Sequence, residues 1–452
     1  MSQWHGKRRA FGLAWSSVGL IVMGLSAPLR AQEEEALVSL EAVLQHADTH
    51  APLLMLARAR LEEGTALEEG AGRWLSAPLR ADVGARPRFA EGTGEDFDVL
   101  VSLMQPLEIA GERGLRQSAA TRTSERLQAE LVSATWQVHR EVHFAFHEAI
   151  EARVREAAER RWMSFAQRML ELATLREQAG EVGPLEAITA RAELAFAMQR
   201  MAEAEHRWRA SRLTLAEVSG WPAAHPPAPA GDLVAPIPIP EDTQLMSLAL
   251  ANHPLLLERR AAIAEHEASS ALLEREVTPN LDVGLSFARE GSAGSPANYI
   301  ALLNLGMSIP VWNANTTERA QARARVSIAE AQLEALTSVV QARVLRAAAS
   351  ARASAERVRI FEVDVLPGLE RHLALLQRAF ELGELDALTV ATASRRLLEV
   401  QANALDAFAQ YHQALAELEA EVGEEVLHRE DRRTDDDTDD ATQDPDAHRG
   451  AP

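Results

Sequence analysis

Residues 79–107 read LRADVGARPRFAEGTGEDFDVLVSLMQPL. Apolar side chains fall on alternate positions: Leu79, Ala81, Val83, Ala85 and Phe89, then Phe97, Val99, Val101 and Leu103. Arg80, Asp82, Gly84, Arg86 and Arg88 lie between the first set. A period of two means extended chain with one apolar and one polar face. The pattern predicts strands at about 79–89 and 97–107, joined by a polar loop from Ala90 to Asp96. It recurs downstream. Leu281, Val283, Leu285 and Phe287 alternate, as do Tyr299, Ala301, Leu303, Leu305, Met307 and Ile309. Strands are expected at about 280–289 and 299–309, with a loop at 290–297. Such lengths suit a tilted crossing of a bilayer. Read locally, they also suit a half-buried soluble hairpin. Four strands cannot close a barrel, and lipid forbids open strand edges. A membrane barrel would therefore be shared between copies, three of which give twelve strands, an even number.

The recurrence belongs to a duplication of the whole chain. Pro52-Leu53-Leu54 matches Pro254-Leu255-Leu256 at an offset of 202, and Gln105-Pro106-Leu107 matches Ile309-Pro310-Val311 at 204. Gly180-Glu181-Val182 matches Gly383-Glu384-Leu385, and Gly220 matches Gly423, both at 203. A period this long describes two copies of a domain-sized unit rather than a solenoid. The first repeat spans 32–220 and the second 241–423, with a proline-rich linker at 221–240.

Around the strands the period becomes helical. Residues 40–73 and 241–277 predict helices, as does 184–219. No proline interrupts Gly114 to Gln178 or Thr316 to Leu366, and Pro367 then falls within a helical pattern. Sixty-five helical residues measure about 100 Å, too long for one globular domain. Each repeat reads as a tall wall in which two half-length helices stack beside one long helix. Turns are expected at Gly180 to Pro184 and at Leu382 to Leu385, with glycine as stop signal and proline as start.

Lys7-Arg8-Arg9, an apolar run from Phe11 to Leu25 and small residues up to Ala31 read as a signal peptide over 1–31. Its removal deletes four basic residues and no acidic one, taking the formal net charge from −21 to −25. No later stretch has 18 consecutive apolar residues. Residues 424–452 read as a solvated acidic tail. The chain of 452 residues contains no Cys, which excludes disulfide scaffolds, thiol catalysis and acylation of an N-terminal cysteine. Its acidity argues against nucleic acid as a partner. There is no phosphate loop, catalytic triad or paired-carboxylate signal, so neither an enzyme nor a cofactor is expected.

This organisation resembles the TolC-like outer membrane efflux protein family over nearly the whole mature chain. The segments that carry the likeness are Ala47 to Leu54 and Ala249 to Leu256, Pro78 and Pro279 opening strands, the two hairpin ends, the tip glycines Gly180 and Gly383, and the repeat ends Leu213 to Gly220 and Leu415 to Gly423. The resemblance implies a mainly α fold with a small β part. It implies a homotrimer in the outer membrane, with a twelve-stranded β-barrel and a periplasmic tunnel of long antiparallel helical hairpins. It also implies docking to a periplasmic adaptor protein and to an inner-membrane pump, of the RND type first. The duct itself would conduct passively. Glu108 to Arg116 is similar to the heavy-metal-efflux branch. Drug efflux, type I secretion and a soluble periplasmic coiled-coil scaffold are the competing readings.

Three groups are candidate sites. Glu181 and Glu186 in repeat one, and Glu381, Glu384 and Asp386 in repeat two, crowd the tip turns. In a trimer each inward carboxylate becomes a ring of three, able to gate cations. Otherwise they are ordinary solvated helix ends. Some relatives place aspartates six and nine residues past the second tip glycine, where this chain has Thr389 and Thr392. Gly180, Gly183, Gly383 and Leu385 mark the turns expected to dock the adaptor. His139, His143 and His147 are spaced i, i+4, i+8, which puts imidazoles on one helical face as a candidate metal site. The alternative is a wall face that happens to carry histidine. Trp74 and Trp312 flank the strands, and Phe89, Phe97, Phe287 and Tyr299 lie near the hairpin loops. These are the places for aromatic girdles, unless the Trp residues pack in a core.

Overall fold

The structure, a computed structural model, describes residues 37–90, 93–231, 235–290, 296, 298–310 and 314–424. The expected signal peptide, the acidic tail beyond Glu424, and Trp312 lie outside them. In chain order the elements are β1 (Leu37–Val38), α1 (Leu40–His50), α2 (Pro52–Ala71), β2 (Arg80–Ala90), β3 (Thr93–Leu107), α3 (Glu112–Ala179) and α4 (Pro184–Ser219). After the linker come β4 (Ala228–Pro229), α5 (Asp242–Asn252), α6 (Pro254–Arg275), β5 (Leu281–Glu290), β6 (Asn298–Met307), α7 (Thr316–Ile360), a π-turn (Phe361–Val365), α8 (Leu366–Glu381) and α9 (Ala387–Val422). β1 pairs in parallel with β4, tying the segment before α1 to the linker.

The duplication is visible element by element. α3 has 68 residues, about 100 Å of helix. α4, with 36 residues, packs on its tip half, and α1 and α2, with 11 and 20, cover the rest. In the second repeat α9 and the α5–α6 pair pack against α7 and α8 in the same way. Alanine dominates the buried seams: Ala145, Ala149, Ala152, Ala166 and Ala173 on α3, and Ala347, Ala348 and Ala351 on α7, are all at most 3% exposed. Small side chains let long helices approach closely along their length.

Two expected helices are each divided. The 40–73 segment breaks at Ala51 and the 241–277 segment at His253. The cause is the following proline. It forces its predecessor out of the helical region, and Ala51 (ψ 131°) and His253 (ψ 120°) sit there. Pro367 acts differently: the long helix runs on, but widens to the π-turn at 361–365, where the missing N–H is absorbed.

β2, β3, β5 and β6 form one antiparallel sheet in that order. The first hairpin is longer than expected, because β3 already begins at Thr93. Its register sets Arg86 opposite Asp98, and the two side chains meet at 3.2 Å, so opposite charges share a rung beyond the apolar stretch.

Candidate functional site

The tip end is built by helix-stop chemistry. Gly180 (φ 76°) and Gly383 (φ 79°) hold left-handed conformations that favour glycine. Beyond them the Glu181 N–H donates to the Arg176 carbonyl, and the Glu384 N–H to the Ala379 carbonyl, both at 2.9 Å. Gly183 leads into α4 in an extended conformation, and the equivalent position before α9 is Asp386. Asp386 caps that helix: its Oδ1 accepts from the Thr389 N–H at 2.7 Å. Hydrogen bonding from Thr389 holds this carboxyl below the usual aspartate range.

The two tips are joined across the repeats. Arg176, in the last turn of α3, donates through Nη2 to the carbonyls of Phe380 (2.9 Å) and Glu381 (3.1 Å) and lies over the Phe380 ring. It thereby serves the C-terminal end of α8, where a cation is favoured. Beneath it Trp162, Phe165, Met169, Phe380 and Val390 form the tip core. Glu181, Glu381 and Glu384 are exposed, Glu186 is half-buried, and Glu381 also meets Arg378 at 3.4 Å. Leu385 is half-buried against the tip core. The apolar residues that do face outward are Leu175, Leu185, Ile188, Leu382 and Leu388, each more than half exposed. Sequence reading missed them, although Leu185 and Leu388 stand at one repeat position, 203 residues apart.

The histidines go to separate places. His139 Nε2 meets Asp48 Oδ1 at 2.7 Å. His143 and His147 are neighbours on α3, with ring centroids 6.2 Å apart, but His147 stacks face to face on His412 of α9, at 4.0 Å and 5°. Burial, with His412 and His143 alongside, pushes His147 down to about 2; burial takes His412 to about 4. Among the described residues no three His, Asp or Glu side chains group so as to hold a metal ion. The i, i+4 spacing on α3 says nothing of Asp48 and His412, the partners that draw these rings apart.

At the other end, the sheet has one continuous apolar face. Val83, Val101, Phe287 and Ala301 occupy one rung across all four strands, and Ala81, Leu103, Leu285 and Leu303 the next on that face. Asp82, Ser102, Ser286 and Leu302 form a rung on the opposite face. Val83 (75%), Phe287 (52%), Leu285 (64%) and Leu303 (67%) are exposed. A contiguous exposed apolar face of this kind marks a membrane or a partner surface. β2 and β6 form the sheet's two edges. No described helix is long and apolar enough to cross a membrane.

At the neck, Glu108 accepts hydrogen bonds from Ser76 and Arg116. Burial opposes ionisation of this carboxyl, but Arg116 and Ser76 together hold it below the usual range. Arg116 also donates to the carbonyls of Ala71 and Arg73, and Arg275 to that of Ala110. The stretch from Glu108 to Arg116 thus braces the strands against the helices.

The chain is similar to known proteins over most of its length. The cobalt-zinc-cadmium resistance protein CzcC of Cupriavidus metallidurans is 25% identical over 318 residues, 70% of this chain and 75% of CzcC. The pyoverdine export outer membrane protein OpmQ of Pseudomonas putida is 25% identical over 246 residues, 52% of this chain and 51% of OpmQ. The fold matches the CmeC outer membrane channel of Campylobacter jejuni with a TM-score of 0.69 at 13% identity, covering 88% of each chain. The family model for outer membrane efflux proteins matches residues 79–221 and 245–424, and the chain belongs to that family.

Proposed function

We propose that this outer-membrane efflux channel works as a homotrimer in which β6 of each copy pairs with β2 of the next. The observation that carries this reading is the four-stranded sheet with an exposed apolar face and edge strands at both sides. In lipid such edges must be closed, and three sheets make a twelve-stranded barrel. The 68-residue α3 and its counterparts then form a periplasmic tunnel about 100 Å long. The exposed leucines around the tip turns dock a periplasmic adaptor, which links the duct to an inner-membrane pump of the RND type. Glu181, Glu186, Glu381, Glu384 and Asp386, tripled by symmetry, make the tip mouth acidic and favour cations there.

The substrate class we infer is divalent metal cations, on the strength of the match to CzcC. The match to OpmQ favours an organic cargo as the second reading, over a smaller share of the chain. Selection sits mainly in the pump. The deciding experiment is extraction of outer membranes followed by mass determination of the particle. A trimer released only by detergent supports the duct; a monomer released by osmotic shock refutes it. Growth of a deletion strain in zinc, cobalt and cadmium separates the two cargoes.

A further inference from the structure

The apolar face of the sheet has a lower margin. It runs out at Leu79, Ile109 and Ile309, which are 58%, 54% and 72% exposed. β6, from Asn298 to Met307 and tilted by about 40°, rises about 23 Å, close to the height of the apolar band on an outer-membrane barrel. Phe287 and Tyr299, stacked at 6.0 Å, mark the upper margin. In the loop leading to β2 stands Trp74, 78% exposed and followed by the exposed Leu75. An indole this open is no core residue.

Its surroundings are cationic and fixed. The Arg113 guanidinium lies 4.9 Å from the Trp74 ring centroid while its Nε–H donates to the Gly72 carbonyl at 2.9 Å. Arg116 grips the same loop through the carbonyls of Ala71 and Arg73, and Arg73 is exposed. Glu108, the acid that feels Arg113, is already bonded by Arg116 and Ser76. The loop and the first turn of α3 together present an indole and two guanidinium groups at the foot of the apolar band. Indoles settle at the headgroup level of a bilayer, and guanidinium is the side chain that grips phosphate.

We propose that Trp74, Arg73 and Arg113 form a binding site for the phosphate of an anionic phospholipid in the periplasm-facing leaflet. The proposal rests on the barrel reading above. The lipid anchors the foot of each subunit and sets the depth of the barrel. Continuity with the apolar face selects a lipid rather than a soluble anion, and the paired arginines select a negative headgroup.

The test uses the full chain and its Trp74→Phe variant, each reconstituted in nanodiscs. The discs hold phosphatidylglycerol brominated high on the acyl chains, phosphatidylglycerol brominated near the chain ends, or phosphatidylcholine brominated high. The difference in fluorescence between the two proteins reports Trp74 alone. In the first disc its emission should fall by roughly half, with much less quenching in the second. Quenching in the third should be weaker than in the first, and an Arg73→Gln/Arg113→Gln double variant should erase that difference. A trimer in which Trp74 is quenched by none of the three lipids overturns the proposal and places Trp74 against a neighbouring subunit. Equal quenching by both headgroups overturns the anionic site. A chain that never enters the discs removes the barrel reading itself, and this proposal with it.

Discussion

Gly220 lies against the backbone carbonyl of His50, so close that a Cβ on the glycine would collide with it. Gly423 stands in the same relation to Asn252. These are the joints where the half-length helices of each repeat meet end to end, α4 on α1 and α9 on α5. Both glycines also have positive φ, 73° and 74°. Gly220→Ala and Gly423→Ala therefore combine left-handed strain with overpacking, for a loss of about 2–4 kcal/mol each. Gly70→Ala is the control: nothing lies within 4 Å of its Cβ direction, and the change should stabilise α2 by about 0.5–1 kcal/mol. Thermal unfolding of the detergent-solubilised protein measures all three. Unchanged melting of both joint variants would show that the stacked helices do not bear on one another.

Arg176 predicts the behaviour of the tips. Its two bonds to the carbonyls of Phe380 and Glu381 tie α3 to the end of α8. Arg176→Ala should cost about 1–3 kcal/mol locally and loosen the contact between the repeats at the mouth. In planar bilayers its single-channel conductance should exceed that of the parent. Arg176→Lys, which keeps the cation but loses reach and the planar guanidinium over the Phe380 ring, should fall between. Equal conductance in all three would remove Arg176 from any part in closing the mouth.

Much of this was legible in the sequence because both elementary periods are strong here. Alternation located four strands to within a few residues, and the 203-residue repeat located the tip turns. The misses have two origins: sequence patterns describe a segment's own faces, not what another segment brings to them, and a strong helical period hides a local break. The histidines on α3 were readable as a face, but Asp48 and His412 come from 91 and 265 residues away in the chain. The breaks at Ala51 and His253 were written in the following prolines, and the helical periodicity on either side concealed them.

The buried His147–His412 stack predicts an acid weakness. Both folded-state values lie below the ordinary 6.5, at about 2 and about 4. The unfolded chain therefore binds protons first. Stability from this pair is complete above about pH 6.5 and declines as pH falls from there toward 4 and below. For His412 alone the loss by pH 4 is about 3 kcal/mol. His412→Phe keeps a ring in the stack and removes its proton. Its melting temperature should fall less than the parent's between pH 7 and pH 4. Parallel pH profiles would show that other groups govern the acid response.

The tip leucines predict where the partner is held. Leu185 and Leu388, 72% and 62% exposed, follow the two helix starts at the same repeat position. Neither supports the tip core, so Leu185→Asp and Leu388→Asp should change stability by less than about 0.5 kcal/mol. As apolar anchors desolvated by an adaptor, each should be worth about 1–2 kcal/mol of binding. The double variant should then assemble normally in the outer membrane yet lose the adaptor in co-purification and lose resistance to the exported substrate. Replacing the neighbouring acids Glu181 and Glu384 with Gln should leave adaptor capture intact and alter cation conductance instead. If the leucine variant retains both adaptor and resistance, docking must lie on another face of the hairpins; if the acid variant loses the adaptor, the tip is held by charge rather than by apolar contact.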